Sequence, residues 1–127
     1  MSNYNYYPYN EWYVPQQMPE NLYRATPNRR FDLWAEEANE QSLGDGFFRY
    51  LWTPPVRIVP NEIVDFRLNA KANQQVISAG YATDPLEDIY AIQMYPRHTN
   101  VMAVLLRSRI ATNTTSKVDM WLIVKQN

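Results

Sequence analysis

The 127-residue chain sets 12 Lys and Arg against 13 Asp and Glu, a net charge of -1, which excludes the basic excess that grips a phosphate backbone. The absence of cysteine excludes disulfide frameworks, thiolate nucleophiles and cysteine-ligated zinc. A hydrophobic content of 46% is too high for general disorder and predicts one folded core of ordinary domain size.

Residues 1–30 cannot build that core. They hold six of the ten tyrosines, one of the four tryptophans and four of the nine prolines, but no glycine. Their only branched aliphatics are Val14 and Leu22, and positions 3–10 contain nothing but Asn, Tyr and Pro. Pro8, Pro15, Pro19 and Pro27 block a helix or a central strand and favour extended backbone. A frayed tail is one reading. The aromatic load favours the other, an arm that orders on a neighbouring surface, because Tyr and Trp bury large areas at small rotamer cost. Tyr4, Tyr6, Tyr7, Tyr9, Trp12, Tyr13 and Tyr23 are therefore the expected partner-binding residues. The start has no basic and apolar segments of the signal-peptide kind, so a soluble chain assembled in the cytoplasm is expected.

The expected domain is 31–127. Residues 31–43 read either as a short helix, with Asp32 as cap and Gly44 as stop, or as a strand in which Phe31, Leu33 and Ala35 alternate. Strands are predicted over 47–53, 56–59 and 62–71, the last with Val64, Phe66, Leu68 and Ala70 on one face and Asp65, Arg67, Asn69 and Lys71 on the other. Further strands are expected over 75–82 and 89–95, and 101–110 begins as a run buried on both faces. Its apolar stretch 101–106 is far short of the roughly 20 residues that cross a bilayer. After a polar hairpin loop at 112–116, residues 118–124 place Val118, Met120, Leu122 and Val124 opposite Asp119, Trp121, Ile123 and Lys125. Six or seven short strands without a helical repeat predict an all-β fold: a single antiparallel β-sandwich, jelly-roll-like, preceded by the arm.

Chemistry is sparse. His98 has no nearby second ligand or nucleophile motif and reads as a polar loop residue. Glu36, Glu37, Asp84, Glu87 and Asp88 match neither a calcium loop nor a defined carboxylate pair. Gly44-Asp45-Gly46 is no phosphate cradle. Arg24, Arg29 and Arg30 read as a solvated junction, and Trp34, Trp52 and Trp121 as core or sheet-face residues. No catalytic residue, metal or cofactor is expected.

The expected function is a structural assembly protein, most concretely a virion component: a phage capsid decoration, cement or minor coat protein whose arm clamps neighbouring subunits. Its partners would be structural proteins of the same assembly, further copies of itself included, with no nucleic acid and no membrane. The alternative is a non-catalytic carbohydrate-binding module. That reading needs exposed rings such as Trp12, Tyr13 or Trp52 to form a stacking platform.

Overall fold

The computed structural model describes residues 27–111 and 114–127. Nine strands run in chain order: β1 Arg29–Trp34, β2 Asn39–Gly44, β3 Phe47–Trp52, β4 Arg57–Ile58, β5 Ile63–Asn69, β6 Gln74–Asp84, β7 Ile89–His98, β8 Val101–Ser108 and β9 Ser116–Gln126. They form two sheets. The first has the order β1-β5-β8-β7, and the second runs β2-β3-β9-β4 with β6 also paired to β9. Pairing of β6 with β9 around the β7–β8 hairpin folds a double ribbon across both sheets, the device on which jelly-roll-like sandwiches are built.

The segment 31–43 is not a helix. Its first half is β1, followed by one 3-10 turn, Ala35–Glu37, and then the edge strand β2. β1 lies parallel to β5, with Phe31 opposite Phe66 and Leu33 opposite Leu68. The two phenyl rings stack at 5.7 Å. This pairing explains the outcome: period-2 alternation turns Phe31 and Leu33 inward together, whereas Leu33, Trp34 and Ala38 would make only an incomplete stripe on a helix. It also means that one strand pair departs from the expected antiparallel arrangement.

Between the sheets, Leu33, Val64, Phe66, Leu68, Val104 and Leu106 face Tyr50, Trp52, Ile58, Val118, Met120, Leu122 and Val124, all buried. The alternation expected for 62–71 and 118–124 is the one seen. β5 is largely buried on its other face as well. There Asp65 and Asn69 are buried, and Arg67 lies against Asp65. β8 is likewise buried on both faces, with Ala103 and Leu105 opposite Arg67 and Asp65. One polar group spans the core edge: Tyr50 Oη donates to Gln74 Oε1 at 3.0 Å, and that oxygen also accepts the Lys71 backbone N–H.

Two local features set the frame of the second sheet. Gly44, Asp45 and Gly46 all have positive φ (89°, 55° and 83°), which makes Gly44-Asp45-Gly46 the β2–β3 turn. In β6 the register shifts between Val76 and Ser78, so Ile77 is an extra residue. The expected hairpin at 112–116 is instead a crossover, since β8 and β9 belong to different sheets.

Candidate functional site

Tyr4, Tyr6, Tyr7, Tyr9, Trp12, Tyr13 and Tyr23, the residues expected to bind a partner, lie outside the described residues. So do Arg24 and residues 112–113 of the expected loop. Among the described residues no group of three or more His, Cys, Asp or Glu side chains converges on a metal-sized space. His98 is exposed at the end of β7.

The buried carboxylates are each engaged by an arginine. Glu62 is gripped by the Arg29 guanidinium through two bonds, one of them from Nη2 at 2.8 Å. The same carboxylate accepts the Val59 backbone N–H at 3.1 Å, and Arg29 Nη2 donates to the Arg57 carbonyl at 2.9 Å. Arg29 is therefore no solvated junction residue; it pins the start of β1 to the β4–β5 connection. Arg30, by contrast, makes an exposed pair with Asp32. The Asp65 carboxylate accepts two bonds from Arg67, at 2.8 and 2.7 Å. That contact holds the guanidinium above its ordinary pKa against the opposing effect of desolvation.

The three described tryptophans have three different settings. Trp52 is buried and donates Nε1–H to the Trp34 carbonyl at 2.9 Å, which removes it from any exposed stacking platform. Trp34 points outward and is 50% exposed. Trp121 stands on the outer face of the second sheet, opposite both Leu51 of β3 and Gly80 of β6.

The third placement creates a recess. A Cβ on Gly80 would sit 2.1 Å from Trp121 Cζ2 and 2.2 Å from Cε2, so the indole lies directly over the glycine backbone. Only the missing side chain permits that approach. Ser78 and Ala82, the flanking outward residues of β6, are also small. With the indole drawn toward β6, an open space of about 290 Å³ remains above β3 and β9, lined by Arg49, Leu51, Trp121 and Ile123. The lining is apolar except for Arg49, which makes no ion pair with any described residue. Asp119 and Lys125 share the same face, and the Lys125 ammonium lies over the Phe47 ring at 4.6 Å. Such a recess offers an aromatic wall, two aliphatic walls and one cation. It suits apolar side chains with a nearby anion, and it holds no acid–base pair.

Sequence reasoning did not single out this recess. Its signal is nonetheless in the alternation of β9, where Trp121 and Ile123 fall on the same face as Asp119 and Lys125, and in a lone glycine within a strand.

The chain is an all-β, two-sheet domain of the sandwich class. Residues 29–124 match the model of the YjdH family, and the chain belongs to that family. No curated protein matches the chain, and no solved structure matches it.

Proposed function

We propose that this chain is a structural assembly protein: a rigid β-sandwich that presents a Tyr- and Pro-rich leader for clamping neighbouring subunits. The assembly we name is a symmetric shell such as a phage capsid, with this protein as its decoration, cement or minor coat component. One observation carries the reading. The family match and the first strand begin at the same residue, Arg29, and the strands that follow supply a core from their own side chains. The leader, with most of the tyrosines, precedes both. Its rings thus lie outside the matched residues, and large apolar rings are most useful where they can be buried on a partner.

Clamping by a leader adds contact area without enlarging the domain. Each Tyr or Trp ring buried on a neighbour contributes about 1.5–3 kcal/mol gross, offset in part by the ordering of the segment. Repetition around a shell multiplies modest single contacts through avidity. The carbohydrate reading loses its Trp52 platform, since that ring is in the core.

The test is removal of residues 1–27 from the full chain. The truncated protein is expected to keep its β circular dichroism and cooperative melting while losing concentration-dependent self-association and co-assembly. Light scattering that shows the same oligomers with and without the leader would refute the proposal.

A further inference from the structure

We infer that the recess formed by Arg49, Leu51, Trp121 and Ile123 is the receptor for the Tyr/Pro-rich leader of a neighbouring copy. This deepens the assembly reading and rests on it for the exchange between copies.

Three observations point to that occupant. The first is chemistry. Segments containing proline and aromatic residues dock in aromatic-walled grooves, because extended proline-stiffened backbone has little order left to lose. The leader supplies Tyr7-Pro8-Tyr9, Val14-Pro15 and Met18-Pro19, and the recess supplies the Trp121 indole as one wall, with Leu51 and Ile123 as the others. At about 290 Å³ the space is at the lower limit for a small-molecule pocket, so it takes one or two side chains rather than an extended ligand. A sugar would need several converging polar groups for its hydroxyls, and Arg49 is the single polar lining residue.

The second is charge. Among residues 1–26 the side chains charged at neutral pH are Glu11, Glu20 and Arg24, an acidic balance. Arg49 opens onto the recess without a described partner, and Lys125 lies on the same face; Asp119 is the opposing charge there. Glu11 immediately precedes Trp12-Tyr13, so ring and carboxylate can arrive together.

The third is reach. Residues 1–26 precede β1 of the first sheet, whereas the recess is on the outer face of the second. At about 3.1 Å per residue, an extended leader reaches ~80 Å, far beyond the ~10 Å between packed sheets and long enough to cross to an adjacent subunit.

The experiment uses the full chain, with photo-crosslinking benzoylphenylalanine in place of Tyr9 or, separately, Tyr13. Equal amounts of ¹⁵N-labelled and unlabelled protein are mixed, irradiated and mapped by mass spectrometry. The expected result is cross-links from the leader of one isotopic form to the Arg49–Leu51 or Trp121–Ile123 peptides of the other. Leu51→Asp and the exposed Arg49→Glu should each lower that yield about tenfold with unchanged melting, as expected for a lost docking contact. Recess cross-links confined to one isotopic form would overturn the exchange between copies, and with it the clamp. Inter-chain cross-links that land elsewhere would overturn the recess assignment and leave the clamp standing. Absence of leader cross-links, or yields indifferent to both substitutions, would overturn the inference outright. So would quenching by soluble cellohexaose that Trp121→Phe abolishes while the leader never reaches the recess, since that assigns the space to a sugar.

Discussion

Asp65 and Arg67 show what a charged pair can do on the face of a central strand. Asp65 is 5% exposed, and Arg67 reaches it through two short bonds from the same strand. Removing one member of such a pair strands a buried charge, at a cost of about 3 kcal/mol, whereas removing both together costs much less. The two single losses are unequal. A stranded Arg67 can extend its long stem toward water, but a stranded Asp65 has no such freedom. Arg67→Leu is therefore expected to be more destabilising than Asp65→Leu, and the double variant more stable than Arg67→Leu alone. Urea melts of all four proteins measure the coupling; strictly additive losses would show that the two side chains act independently.

At the scale of elements, the bulge in β6 fixes the character of the second sheet. Before Ile77 the inward residue is Val76, opposite Val124; after it the inward residues are Ala79 and Tyr81, opposite Leu122 and Met120. An unbroken alternation from Val76 would have turned Gly80 into the core. The extra residue turns it outward, beneath Trp121. Gly80→Val is expected to lift the indole and destabilise the domain by about 1–3 kcal/mol, as overpacking does. Thermal melting and acrylamide quenching of tryptophan fluorescence check both effects; unchanged quenching would mean the ring does not rest on the glycine. The same bulge explains what the sequence concealed. Alternation alone located β5 and β9 and their buried faces, because each keeps one parity throughout. It could not place Gly80, whose facing depends on a shift of register, nor the partner of β1, which lies more than thirty residues away. The recess needs both β3 and β6 beside β9, so its residues were visible individually but their meeting was not.

For the whole molecule, the order in which strands meet follows from how local each pairing is and how many neighbours each strand has. The β2–β3 and β7–β8 hairpins are local, and β6 and β9 enclose the second of them. β1 is different: it is an edge strand, parallel to β5, held by Phe31 on Phe66 and by Arg29 on Glu62. As an edge strand β1 pairs with β5 alone, so it should dock after β5 and β8 have formed the sheet that it extends. Phe31→Ala is then expected to remove ~2 kcal/mol of stability, in line with loss of a half-buried ring. Almost all of that loss should appear as faster unfolding, with folding little changed. Stopped-flow chevrons give the partition directly. A folding limb slowed in proportion to the lost stability would place β1 in the nucleus and make the junction beside the leader the first part of the domain to form.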